Sequence, residues 1–163
     1  MINSQWHMVC REVKMCETAI AKDSEVLTAS GIGSCIVITL YHPRRNIGAM
    51  AHAMLPNNCS LVIGRKLSDG SRDTKYVDEA IDEMLRNMES KGAKAGDLEA
   101  KIAGGANMFP ACGSDIGGEN VLTAKEKLKK EGIKLVGESV GGSIGRSVEL
   151  SVASGIVTVK IKF

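Results

Sequence analysis

Most of the hydrophobic patterning along the chain is strand-like. Met8–Met15 alternates apolar and polar residues, the period of a half-buried strand. Glu25–Ser30 is a short apolar run that meets Gly31–Cys35 (GIGSC). Cys35–Tyr41 (CIVITLY) is rich in β-branched residues and reads as a buried strand. The stretch YHPRRN then carries turn chemistry, with Pro43 fixing φ and Asn46 tolerating a tight turn. Ile47–Leu55 returns as a second apolar strand and stops at Pro56, so residues 35–55 predict a hairpin. Leu98–Ala103 and Ile133–Val140 are further strand candidates. Val148–Val152 and Ile156–Phe163 alternate around Ser154-Gly155, a second hairpin signal.

Helical periodicity occurs twice. Within Thr74–Lys91, residues Val77, Ala80, Ile81, Met84, Leu85 and Met88 form one apolar stripe, with Asp73 placed as N-cap and Gly92 as the stop. Val121–Glu131 follows Asn120 and ends at Gly132. The polar segment between Pro56 and Asp73 reads as a mobile loop. Many strands, two moderate helices and no regular βαβ alternation predict the α+β class. No repeat, linker or Pro-rich stretch divides the chain, so residues 1–163 read as a single domain.

Composition narrows the function classes. With 163 residues and 44% hydrophobic content, the chain can bury about 70% of its unfolded surface, and disorder is excluded for most of it. A net charge of +2 leaves no nucleic-acid footprint, and 3% aromatics argue against base-stacking platforms. No apolar run approaches the roughly 18 residues of a membrane span, and the first residues lack a signal-peptide core, so a cytoplasmic protein is expected. Five cysteines without a CxxC pair do not form a disulfide framework, and His7, His42 and His52 show no ligand spacing against them. Neither a metal nor an organic cofactor is expected.

Two residues carry candidate chemistry. In GIGSC, the glycines let the backbone turn tightly, and Cys35 falls at the mouth of a strand with the Ser34 and Cys35 amides nearby and Gly33 and Ser34 as oxyanion candidates. A thiol with preorganised N–H donors is what acyl transfer needs. The plain alternative is a Gly-containing turn before a packed cysteine. His52 interrupts an apolar strand, where an imidazole needs a partner. A hairpin centred near residue 44 sets Cys35 opposite residue 53, so Cys35 and His52 fall at the same open end and can form a thiolate–imidazolium pair. A core histidine bonded to a backbone carbonyl is the alternative reading.

The run Gly31–Pro56 resembles the signature of the CheD family of chemoreceptor glutamine deamidases, in which a Gly-rich turn delivers a nucleophilic Cys and a His seventeen residues later serves as base. Cys35 and His52 have that separation. KIAGGANMF (Lys101–Phe109), IGGENV (Ile116–Val121) and GGSIGR (Gly141–Arg146) follow in the family's order, and the resemblance covers about residues 8–163. It implies a layered α+β sandwich, sheets in the middle and helices outside, as in deamidases of the cytotoxic necrotizing factor type. It also implies deamidation of glutamines on the cytoplasmic helices of chemoreceptors, with Cys35 as nucleophile and His52 as acid/base. No cofactor, nucleic acid or membrane insertion is implied, and the CheC phosphatase is an implied partner. Two other classes stay open: a non-catalytic adaptor that binds receptors or a phosphatase, and a transglutaminase- or peptidase-like cysteine enzyme.

The sequence departs from the family at two places. The Thr expected six residues before the Cys is replaced by Ala29, flanked by Thr28 and Ser30. A one-residue bulge would bring Thr28 to His52, and Thr28 is therefore the expected orienting hydroxyl, ahead of Ser30. Ala103 stands where family members often have an aromatic or larger apolar residue in a region tied to partner binding, so docking to CheC is expected to be altered or absent. Arg146 in GGSIGR is a candidate substrate contact, with tight-turn packing as the alternative.

Overall fold

The computed structural model describes residues 8–57 and 73–161. Nine strands and two helices follow one another as β1 (Cys10–Glu12), β2 (Thr18–Lys22), β3 (Val26–Ile32), β4 (Ile36–His42), β5 (Ile47–Ala53), α1 (Val77–Glu89), β6 (Glu99–Gly104), α2 (Ile116–Lys130), β7 (Lys134–Val140), β8 (Arg146–Ser151) and β9 (Ile156–Ile161). The strands form a four-stranded sheet, β1-β3-β8-β9, and a five-stranded sheet, β2-β5-β4-β6-β7. The fold is α+β. Most of the loop expected between Pro56 and Asp73 lies outside the described residues, as do His7 and Cys59.

Two cores explain the layering. Both helices pack on one face of the five-stranded sheet, where Ile36, Ile38, Leu40, Ala49 and Ala51 meet Ile81, Met84, Met88, Ala124 and Leu128. The opposite face, carrying Val37, Tyr41 and Met50, packs on Leu27, Ala29, Val148 and Leu150 of the four-stranded sheet. The order is therefore helices, sheet, sheet. The expectation of helices outside the sheets holds on one side only, because both apolar helix stripes are satisfied by a single face.

The β4–β5 hairpin forms as its alternation predicts, from Ile36↔Ala53 to His42↔Ile47, and Asn46 turns it with φ +47°. The β8–β9 hairpin likewise turns around Ser154-Gly155. Strand β2 was absent from the pattern, because its sequence TAIAK is rich in helix formers; pairing with β5 from Thr18↔Ala51 to Lys22↔Ile47 overrides that preference. Helix α1 ends as expected: Gly92 (φ +83°) donates to Glu89 O and Ala93 to Met88 O, a Schellman stop. Its start differs, since Asp73 accepts from Lys75 N in the preceding turn and Tyr76 flanks the helix without a side-chain cap.

Helix α2 begins at Ile116, five residues before the apolar periodicity does, capped by Asp115 accepting from Gly118 N at 2.9 Å. Gly117 looks like a helix breaker, but packing requires it. A Cβ there would lie 2.3 Å from Ala106 O, so the helix backbone rests directly on the Gly105-Ala106 turn.

Candidate active site

The GIGSC segment is the crossing between the two sheets, since β3 ends at Ile32 in one and β4 begins at Ile36 in the other. Three successive carbonyls of this crossing are tied to the β6–α2 region. Gly33 O accepts from Ala106 N (2.9 Å), Ser34 O from Asn120 Nδ2 (2.8 Å) and Cys35 O from Gly105 N (2.8 Å). The N–H groups of Gly33, Ser34 and Cys35 donate to no backbone carbonyl among the described residues. The Cys35 N–H lies toward its own sulfur and favours the thiolate. Gly104 (φ +115°) makes the close approach possible, because a Cβ there would come within 2.4 Å of Cys35 O. The glycine motifs thus converge in space on one turn.

Cys35 and His52 face the same way. Val37 pairs with His52, and Cys35, one residue before β4 begins, packs against the inter-sheet core on the same side of the sheet, the side of the four-stranded sheet. His52 is 3% exposed. Its Nδ1 is 3.4 Å from Val13 O, which can only accept, so Nδ1 carries the proton and Nε2 keeps its lone pair. Nε2 is buried and has no hydrogen-bond partner among the described residues.

Electrostatics differ from the expected ion pair. Burial pushes the Cys35 thiol above its ordinary 9.0, the neighbouring Cys16 thiol adds to this, and the Cys35 amide opposes it. Burial pulls His52 below 6.5, against the Val13 carbonyl and the Glu12 carboxylate, which favour the imidazolium. At neutral pH the resting pair is a thiol and a neutral imidazole. No hydrogen bond joins them.

Two expected contacts are not made. Thr28 and Ser30 lie on the outer face of the four-stranded sheet, in a shallow cleft with Ser147, Glu149 and Lys160, and Ser30 Oγ donates to Glu12. Ala29 points inward between them, as strand alternation dictates. The β3–β8 register does shift, but between Ala29 and Ile32, beyond Thr28, so the irregularity does not turn Thr28 inward. The Val13 carbonyl takes the orienting position instead. Ala103 is 2% exposed in the core between the sheets, so it cannot itself touch a partner.

Arg146 is likewise not directed at a substrate. It is buried, Nη1 donating to Gly104 O (2.8 Å) and Ser139 O (2.9 Å) and Nη2 to Gly141 O. This is turn packing around the Gly104-Gly105 corner. Arg146→Lys is expected to lose about 2–4 kcal/mol of stability, since one ammonium cannot hold three carbonyls in this fork. Urea denaturation measures the loss; KM for any substrate turned over by the folded fraction is expected to stay unchanged. A raised KM at full stability would return Arg146 to the substrate.

Sequence reasoning missed Val13 and Asn120. Val13 acts through its carbonyl, which no side-chain pattern reveals. Asn120 was legible: it is a polar residue in the otherwise small or apolar buried stripe Gly117, Ala124, Leu128 of α2. Beside the crossing lies a cleft of about 150 Å³ lined by Ser34, Ala106, Met108, Phe109 and Gly117. Among the described residues, no cluster of His, Cys, Asp and Glu is grouped to hold a metal ion, and no helix is long and apolar enough to cross a membrane.

A partly accessible thiol just before a strand, backbone donors beside it and a buried imidazole with a bare lone pair on the same face are groups of the kind that cysteine-dependent acyl transfer uses. Comparison with known proteins gives the family. The profile described as CheD chemotactic sensory transduction matches residues 54–161. The chain is 40% identical over 146 residues to the chemoreceptor glutamine deamidase CheD of Thermotoga maritima, covering 88% of this chain and 87% of that protein. It is 37% identical over 145 residues to the probable chemoreceptor glutamine deamidase CheD of Thermococcus kodakarensis (87% and 86% covered), and 36% identical over 151 residues to that of Haloarcula marismortui (91% and 83%). The chain belongs to the CheD family.

Proposed function

We propose that this chain hydrolyses the side-chain amide of glutamines on chemoreceptors, with Cys35 as nucleophile and His52 as its acid/base. The observation that carries the reading is the Nε2 of His52, without a partner among the described residues and buried on the side of the sheet where Cys35 also packs. A buried imidazole nitrogen without a hydrogen bond costs stability, and a catalytic role accounts for its being there. Membership of a family whose relatives are named chemoreceptor glutamine deamidases supplies the substrate class.

The sulfur attacks the carboxamide carbon as His52 Nε2 takes the thiol proton, and the N–H groups of Ser34 and Cys35 stabilise the oxyanion. The imidazolium returns that proton to the departing nitrogen, so ammonia leaves and a thioester remains. Water, deprotonated by the same nitrogen, attacks the thioester; glutamate and the free thiol result. The cleft beside Ser34 is the proposed entry for the glutamine side chain. Receptor helices are the proposed partners, with the CheC phosphatase a second. The two-sheet sandwich with its cysteine at a strand start also supports a structural relationship to cytotoxic-necrotizing-factor-type deamidases.

The test is incubation of a purified cytoplasmic receptor fragment with the protein, followed by mass spectrometry and an ammonia assay. Glutamine-to-glutamate conversion with stoichiometric ammonia is expected, unchanged by added primary amine. Amine incorporation would move the protein to the transglutaminases, and unmodified receptor would leave an adaptor.

A further inference from the structure

The three buried side-chain polar atoms without a partner among the described residues are His52 Nε2, Asn120 Oδ1 and Arg146 Nε. Asn120, fully buried on α2, donates from Nδ2 to Ser34 O (2.8 Å) and to Met54 O (3.1 Å). These carbonyls mark the open end of the β4–β5 hairpin. The ladder stops at Ile36↔Ala53, so Cys35 lies just beyond it and is not registered by strand pairing. One amide nitrogen bridges the gap, holding the residue before Cys35 to the residue after Ala53. Its orientation is unambiguous, because the opposite assignment would set Oδ1 against two carbonyl oxygens.

The consequence lies in the peptide plane. No cis peptide occurs among the described residues, so the Ser34 C=O and the Cys35 N–H, which share one trans unit, point in opposite directions. Fixing the carbonyl toward α2 fixes the N–H away from it, on the side of the sulfur. We infer that Asn120 is a positioning residue for the reaction: it aims the Cys35 amide at the developing oxyanion and touches no substrate itself. Oδ1 fits this assignment. An asparagine retained for stability alone would be expected to satisfy its buried acceptor, whereas here the acceptor is left unpaired while both donors are used.

This inference rests on the deamidase reading, and the experiment separates the two. Turnover of the receptor fragment is compared with the rate at which iodoacetamide alkylates Cys35, read by peptide mass spectrometry. Alkylation displaces iodide from a saturated carbon and forms no oxyanion, so it reports the thiol but not the N–H donor. Asn120→Ala is expected to lower kcat about 100-fold, the scale for loss of one oxyanion donor, with KM and the alkylation rate within about threefold of wild type. Asn120→Ser, which keeps one donor, is expected to recover part of kcat, and it carries the same comparison if Asn120→Ala does not fold. Turnover within about threefold of wild type in the folded variant overturns the assignment, as does alkylation that falls in step with turnover. A wild-type protein that releases no ammonia overturns the deamidase reading itself.

Discussion

Cys35→Ala is expected to reduce receptor deamidation by at least about ten-thousand-fold, to assay background, while the protein stays folded. The size follows from the mechanism: without sulfur no thioester forms, and the remaining groups only position water poorly. The fold survives because Cys35 is half-buried at the margin of the inter-sheet core, so truncation removes one sulfur and no hydrogen-bonded side chain. A stability loss of about 1 kcal/mol or less is expected by urea denaturation. Combining Cys35→Ala with His52→Ala is expected to cost no more than Cys35→Ala alone, since an imidazole with no thiol to serve contributes nothing further. Additive losses would mean that the two residues act in separate steps. Residual turnover in Cys35→Ala well above background would remove the cysteine from the mechanism.

How far the site was legible depends on whether its geometry is carried by side-chain pattern or by backbone. The β4–β5 hairpin was readable because alternation and the Pro43–Asn46 turn agree, and the hairpin alone brings Cys35 and His52 to one end. The observed Ile36↔Ala53 pairing ends the ladder one residue short of Cys35, so the expected pairing of Cys35 with residue 53 is not made. Thr28 was misplaced because the expected bulge assumed that a hydroxyl must orient the imidazole. Val13, the residue just after β1, supplies a carbonyl instead, and every residue type offers one. Arg146 was ambiguous because a guanidinium beside glycines suits either a substrate or a row of turn carbonyls. Only burial decides between them, and burial of a loop arginine is set by tertiary contacts. The glycines of Gly104-Gly105 and Gly117-Gly118 were visible as motifs, but their joint role was not. Gly105 and Gly117 let a helix and a turn touch backbone to backbone 12 residues apart in sequence, and no local rule encodes that meeting.

Removing the imidazole is expected to have the second-largest effect and to change the form of the pH dependence. In the proposed mechanism, the reactive form of the wild type pairs a protonated thiol with a neutral imidazole. His52 titrates below 6.5 because burial disfavours its cation, so kcat/KM falls as acid protonates the base. Cys35 titrates above 9.0 because burial disfavours the thiolate, so the alkaline limb begins only there, where the proton needed by departing ammonia is lost. A plateau from about pH 7 to 9 is expected between these two limbs. A resting thiolate–imidazolium pair would behave differently, since its alkaline limb would follow an imidazolium stabilised above 6.5 and cut into that plateau. His52→Ala is expected to lower kcat at pH 7.5 by about 10²- to 10⁴-fold, the usual contribution of a positioned acid/base. Its remaining rate is expected to climb with pH toward the thiol's own titration, because hydroxide then supplies the thiolate that His52 no longer generates. The measurement is kcat/KM for the receptor fragment in wild type and variant across about pH 5.5 to 10, a range that takes in both limbs. A wild-type alkaline limb between pH 7 and 8.5 would sink the neutral-pair description, and a His52→Ala rate that ignores pH would show that the imidazole is not the base.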